Sequence, residues 1–318
     1  MTELPAPLAE GPFSTRQARA HGVRPRLLRD PGLVVVTHGS RTLRAPEGLA
    51  ERAQAFLVAM HGEVALSHVS AAQLWGLPLP RALQEQQDLD VICASGAGPV
   101  KRAGCIGHRG LGVRSTVSRT GVRVTGLADT WVDLGEVVGR GLTLDDLVVA
   151  GDVAARMLDP SKGGSSGVPM LATALRARVR PRGKVLLTQA LPLISPRSKS
   201  PMETRARLVF ARGGLPAPEL NAAIHFDADR EGDGAGGWML EGDFVWRAQR
   251  VVAEYQGEHH ATIGQRATDV TRRHLAEDEG WTFVEIFAGD VFGRAKRIAM
   301  LRRLGTALGV DESGLELA

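Results

Sequence analysis

Apolar positions recur along this chain with two different periods. From Gly48 to about Met60 they fall at helical spacing, and Trp131 and Leu134, three residues apart in "LADTWVDLGEVV", carry that spacing into another helix. Between 88 and 125 the segments "DLDVICA" and "GVRVTG" read as short strands set between Gly-rich turns. "SHVSAAQLWGLPLP" predicts a short helix capped by Ser70 and ended at Gly76, with Pro78 and Pro80 beyond it. His68, Trp75 and Trp131 read as core or helix-packing residues.

The first segment, "FSTRQARAHGVRPRLLRDPGLVVVTHGSRTLRAP", predicts two small helices and a hairpin. Ser14 or Thr15 caps the first helix, which Gly22 ends; "RPRLLR" opens the second with Pro25 near its first turn. Val34 to Val36 and Thr42 to Leu43 then flank a Gly-containing turn. This is the order of a winged helix-turn-helix, with Arg24, Arg26 and Arg29 on or near the second helix as the DNA-binding candidates.

Punctuation divides the rest. "LDPSKGGSSGVP" at 158–169 is a loop by its Gly and Ser content. In "SPRSKSPMETRARLVF", Ser200, Pro201 and Glu203 match a capping box that opens a new domain near 196. The expected organisation is α/β: a winged helix-turn-helix-like head over 1–47, an α/β middle domain over 48–195, and a mixed sheet flanked by helices over 196–318.

Chemistry concentrates in "WMLEGDFVWRAQRVVAEYQG", which reads as two antiparallel strands turning at Ala248 and Gln249. That register sets Glu241 opposite Gln256, Asp243 opposite Glu254 and Val245 opposite Val252 on one polar face. Gly242, Phe244, Trp246, Val251, Ala253 and Tyr255 fall on an apolar one. Two carboxylates about 5 Å apart at an effective dielectric of about 20 repel by roughly 3 kcal/mol. Either a hard divalent cation, Mg²⁺ or Mn²⁺, or a neighbouring arginine would offset that.

Composition adds direction. The net charge of +4 is unevenly spread: residues 101–200 hold 16 basic and 7 acidic side chains, five of the basic ones within "RARVRPRGK". Such a patch suits nucleic-acid phosphates or a solvated surface, and both readings stand. The two cysteines, Cys93 and Cys105, are expected as reduced thiols. No apolar run approaches a membrane span and no leader pattern opens the chain, so a cytoplasmic protein without a membrane partner is expected. No Gly-rich phosphate loop or nucleophile motif is present to suggest a nucleotidyl or small-molecule enzyme.

Glu203 on a leading helix, Asp243 on one strand and Glu254-x-Gln256 on the next resemble the acid, Asp, Glu-x-Lys order of the PD-(D/E)xK nuclease superfamily. The run "SPMETRARLVFARGGLPAPELN... GDFVWRAQRVVAEYQGEHH... RATDVTRRHLAEDEGWTFVEIFAGDVF" is similar to the uncharacterised domain family related to very-short-patch-repair endonucleases. The resemblance implies a restriction-endonuclease-like fold in which Asp243 and Glu254 hold a catalytic metal and Glu203 assists. Gln256 stands where that superfamily has lysine, so the positive charge is missing there. His259 and His260 are candidates to approach the scissile phosphate, or else loop residues. Arg266 and Arg273 are candidates to meet phosphate, or else to pair with Asp269. The first half resembles, more loosely, AbiEi-type antitoxins on "FSTRQARAHGVRPRLLRDPGLVVV" and "LSHVSAAQLWGLPLP", which implies double-stranded DNA binding and a toxin or defence-system partner. Two functions follow as expectations: a metal-dependent DNA endonuclease, or a non-catalytic antitoxin-like regulator that keeps a nuclease fold.

Overall fold

In a computed structural model the protein is described over residues 4–96, 98–159, 167–226, 238–257 and 273–317. It divides into two compact units, Met1–Ile194 and Ser195–Ala318, each mixed in helix and strand. No helix among the described residues is long and apolar enough to cross a membrane.

The first unit opens with α1 (Ala6–Ala9), β1 (Phe13–Ser14), α2 (Thr15–Ala20) and β2 (Ser40–Arg41). Ser14 caps α2: its hydroxyl accepts from the Gln17 amide at 3.1 Å, and the Gln17 side chain accepts back from the Ser14 amide at 2.8 Å. The expected second helix is only a 3₁₀ turn, Leu27–Arg29. Pro25 and Pro31 leave too few residues between them for a helix to propagate, and Leu28 is buried with Leu8, Phe13, Ala18 and Val23. The expected hairpin reduces to a single antiparallel bridge, Val34 to Thr42, beside the β1–β2 pair. Arg24, Arg26 and Arg29 are exposed.

The same unit continues through α3 (Gly48–Leu57), β3 (Val64–Leu66), α4 (His68–Trp75), α5 (Arg81–Gln84), β4 (Leu89–Cys93), β5 (Cys105–Arg109), β6 (Thr116–Arg119) and β7 (Val122–Thr125). The helices α6 (Leu127–Leu134), α7 (Leu144–Leu158), α8 (Gly167–Arg176) and α9 (Lys184–Ala190) follow. The sheet order is β5-β4-β3-β7-β6, with β4–β5 and β3–β7 parallel and the other two pairs antiparallel. Every residue of β4 is buried, so "LDVIC" reads as an uninterrupted strand rather than an alternating one. Ser67, not Ser70, precedes α4; the Ser70 hydroxyl instead accepts from the Asp90 amide at 2.9 Å, tying that helix to β4. Trp131 is fully buried and its indole N–H donates to the Leu147 carbonyl at 3.0 Å. Cys93 and Cys105 are free thiols.

The second unit runs α10 (Pro201–Arg212), β8 (Glu219–Phe226), β9 (Trp238–Trp246), β10 (Val251–Tyr255), a helical segment at 273–278 (α11), β11 (Thr282–Ile286), α12 (Ala288–Phe292) and α13 (Arg294–Leu308). The sheet order is β11-β10-β9-β8, antiparallel from β8 to β10 and parallel between β10 and β11. The turn at 247–250 gives the register that the sequence predicts, Val252 against Val245.

The faces differ from the simple alternation expected. Phe244, Trp246, Val251 and Ala253 join Phe210 of α10 and Leu304 of α13 in one core, but Val245 and Val252 join Ala222, Ile224 and Leu240 in a second core across the sheet. Both faces are therefore apolar at their centre. Gly242 belongs with the second core: a Cβ there would lie 2.7 Å from one methyl of Val252 and 2.9 Å from one of Val245. Residues 242 and 244 thus face opposite ways, as do Leu220 and Ala222 on β8. The β8–β9 ladder passes over Asn221 and Asp243 at this point, and Asn221 has φ of 46°. A left-handed residue reverses the pleat, and Asn accepts that conformation more readily than other non-Gly residues. The reversal frees Asp243 from the ladder.

Candidate functional site

Asp243 sits at the pleat reversal with Glu203 of α10 and Lys199 just before that helix. The helix starts there because Ser200 accepts from the Glu203 amide at 3.1 Å and Pro201 occupies the first turn. Glu203 is buried, and its Oε2 accepts both from the Lys199 amide at 2.8 Å and from the Asn221 side-chain amide at 2.7 Å. The cap and the strand kink are thus joined through one carboxylate oxygen.

The Asp243 carboxylate replaces a ladder partner by accepting from the Tyr255 amide at 2.9 Å. Burial pushes its pKa up to about 6; the Tyr255 amide opposes that rise, the charge of Glu203 adds to it, Lys199 opposes it and Glu241 adds again. The Lys199 ammonium is bonded to Glu241. The register places Glu254 next to Asp243, one step beyond the last cross-strand pair, Ala253 with Phe244. On its other side Glu254 pairs in register with Glu285 of β11.

The structure therefore brings Glu203 and Asp243 into electrostatic contact and sets Glu254 beside Asp243 in the sheet. Gln256 follows β10, its backbone amide donating to the Ile286 carbonyl at 2.8 Å. Arg273 is engaged by Glu277 at 3.2 Å and Glu285 at 2.9 Å, and its guanidinium lies 5.2 Å from the Phe283 ring centre. His259, His260, Arg266 and Asp269 lie outside the described residues. Lys199 was missed by the motif, because its charge enters from the residue before the helix cap rather than from the strand.

Asp243 makes folding stability pH-dependent. Its folded pKa of about 6 lies above the ordinary 3.8, so the folded state holds an extra proton between those values. The contribution is fully present below about pH 4 and is lost as pH rises through 6. It amounts to at most about 3 kcal/mol, and nearer 2 for a partly exposed group. Asp243→Asn is expected to be more stable than wild type by about 2 kcal/mol at pH 8 and to lose that advantage at pH 4, read from urea unfolding at the two pH values. An advantage equal at both would remove the titration from the account.

In the first unit a buried ionic cluster adjoins a cavity of about 530 Å³ lined by His108, Arg109, Arg114, Asp133, Glu136 and Arg178 among others. Arg114 makes a forked pair with Asp133, Nε at 2.9 and 3.0 Å and Nη2 at 2.7 Å. Arg178 reaches Asp129 at 2.5 Å and lies 3.7 Å from Asp133. Within "RARVRPRGK", then, Arg178 is buried rather than solvated, while Arg180 and Arg182 reach the cavity.

Two proteins of Mycobacterium tuberculosis are similar along most of the chain. Uncharacterized protein MT2308 of strain CDC 1551 / Oshkosh is 31% identical over 274 residues, covering 86% of this chain and 92% of its own length. Uncharacterized protein Rv2248 of strain ATCC 25618 / H37Rv matches with the same identity and coverage. No family model and no solved structure matches the chain.

Proposed function

We propose that this chain, which belongs to the family of MT2308 and Rv2248, is a DNA-binding protein whose second unit is a metal-dependent endonuclease-like domain. The observation that carries the reading is Asp243: a carboxyl buried beside Glu203 and Glu241, released from its strand ladder and adjacent in register to Glu254. Lys199 offsets only part of this accumulation of acid, and its hard oxygen donors suit Mg²⁺ or Mn²⁺. Further support comes from the order helix, three antiparallel strands, helix, parallel strand, which matches the resemblance seen in the sequence.

Asp243 and Glu254 would hold the ion, which when bound would polarise the phosphate and acidify a water ligand. Glu203, fixed by Lys199 and Asn221, positions α10 against Asp243. Lys199 supplies the positive charge that Gln256 lacks. Gln256 would orient water or a phosphate oxygen through its amide. In the first unit, exposed Arg24, Arg26 and Arg29 would contact duplex phosphates and make affinity salt-sensitive.

A second reading, a non-catalytic antitoxin-like regulator with a toxin or defence-system partner, is favoured by Gln256 in the lysine place. Plasmid nicking with Mg²⁺ or Mn²⁺, run beside a gel shift on the same duplex, separates the two. Wild type is expected to nick slowly and Glu254→Gln to lose at least 10²-fold, with binding retained. Binding without nicking by wild type would favour the regulator, and nicking that survives Glu254→Gln would remove the metal assignment.

A further inference from the structure

In the first unit, His68, His108 and Glu136 each offer a donor atom within 4.8 Å of the others. They arrive from three elements: His68 from the first turn of α4, His108 from β5, and Glu136 from the 3₁₀ turn after α6. We propose that these three side chains form a binding site for a zinc-class divalent cation, with its open coordination position facing the arginine-lined cavity.

The hydrogen bonds orient both imidazoles for this. The His108 Nε2 lies 2.8 Å from a carboxylate oxygen of Asp90, so Nε2 carries the proton and Nδ1 keeps its lone pair. Asp90 is fully buried and is held by Arg140 at 3.0 Å and Gln86 at 2.8 Å. A carboxylate behind a ligating histidine fixes its tautomer and raises its basicity. The Nδ1 of His68 lies 2.8 Å from the Ser67 hydroxyl; in the tautomer whose Nδ1–H donates there, Nε2 keeps its lone pair.

That Nε2 is the independent sign of a ligand. His68 is 1% exposed, and its Nε2 is buried without a hydrogen-bond partner. A buried polar atom left unpaired costs about 1–3 kcal/mol, so it calls for an explanation. The nearest acid, a Glu136 oxygen at 3.8 Å, is too far to accept a hydrogen bond. Two ligands of one tetrahedral ion stand roughly 3.3 Å apart, so a shift of about half an ångström would seat both on it. Glu136 also meets the Arg182 guanidinium at 3.6 Å. His68 also has φ of 48°, a strained conformation for a residue with a Cβ.

Two histidines and one glutamate with a fourth position open is the donor set of catalytic zinc sites. Imidazole donors also select against Mg²⁺, which separates this site from the carboxylates of the second unit. The rings now stack 15° from parallel with centres 3.6 Å apart, so ligation in both ring planes must splay them. His108, with 15% of its side chain exposed at the cavity wall, has room to turn. His108 and Glu136 border the same cavity as Arg109, Arg114 and Arg182, so a ligand reaching the ion would be anionic.

The test is titration of the full chain with Zn²⁺ under millimolar Mg²⁺, with Co²⁺ as a spectroscopic probe. One ion per chain is expected, with visible Co²⁺ absorption of the tetrahedral type. His108→Gln, which keeps an amide for Asp90, and Glu136→Gln are expected to weaken binding at least 10-fold and abolish that spectrum. Circular dichroism of the two glutamine variants verifies that they fold, and His68→Ala adds a third arm. Absence of stoichiometric Zn²⁺ in the wild type, or full affinity and spectrum in folded His108→Gln and Glu136→Gln, would overturn the site.

Discussion

Asp133→Ala is expected to destabilise the first unit by about 3–5 kcal/mol, the cost of leaving a buried charge without its partner. Asp133 is 2% exposed and takes both forks of Arg114, whose side chain is 8% exposed. Arg178 lies 3.7 Å away, and its Nε and Nη1 already lack partners, so no spare acceptor waits for the freed guanidinium. Asp129 cannot substitute, because its carboxylate already serves Arg178 and the Ser115 amide and hydroxyl. For a unit of this size the loss lowers the melting temperature by roughly 6–20 °C. Replacing both partners with apolar residues, Arg114→Met with Asp133→Leu, should recover most of it, since the desolvation cost disappears with the charges. Calorimetry of the three proteins reads the effect. A single variant that melts with wild type would mean that the pair contributes nothing, and a double variant no better than the single would place the effect in packing.

How much of this was legible depends on the range of the contacts. The turn at 247–250 fixes the β9–β10 register locally, so the adjacency of Asp243 and Glu254 could be read from twenty residues. The caps at Ser14 and Ser200 were legible for the same reason. The pleat reversal was not: a regular strand alternates with period 2, and the left-handed Asn221 breaks that alternation. The second helix of the head was over-read because two prolines limit its length more than its apolar residues favour it. His68 looked like a packing residue, and it is buried; what the sequence hid is that β4 and β5 run parallel, setting His108 and Asp90 beside it. Parallel pairing joins residues across connections that carry no turn signature. Arg178 hid likewise, because its partner Asp129 is 49 positions away.

Lys199 carries the other large effect. If the second unit cleaves DNA, the transition state gains negative charge that a glutamine amide at 256 cannot neutralise, and Lys199 is the cation whose charge already acts on Asp243. Removing one such stabilising group typically costs about 10²–10³ in rate. Lys199→Met is therefore expected to lower nicking by that factor while leaving stability within about 1 kcal/mol, because the Lys199 side chain is 59% exposed and its pair with Glu241 lies at the surface. Its backbone amide still bonds Glu203, so α10 keeps its cap. Gln256→Lys alone should cleave at least as fast as wild type, since it adds a cation two residues beyond Glu254. Introduced into Lys199→Met, the same change should restore most of the rate, because the charge matters rather than the element it comes from. Single-turnover nicking of the four proteins at saturating Mn²⁺ reads this cycle. Full activity in Lys199→Met would remove Lys199 from the chemistry, and a double variant as slow as Lys199→Met would show that charge from the strand cannot stand in for charge from the helix cap.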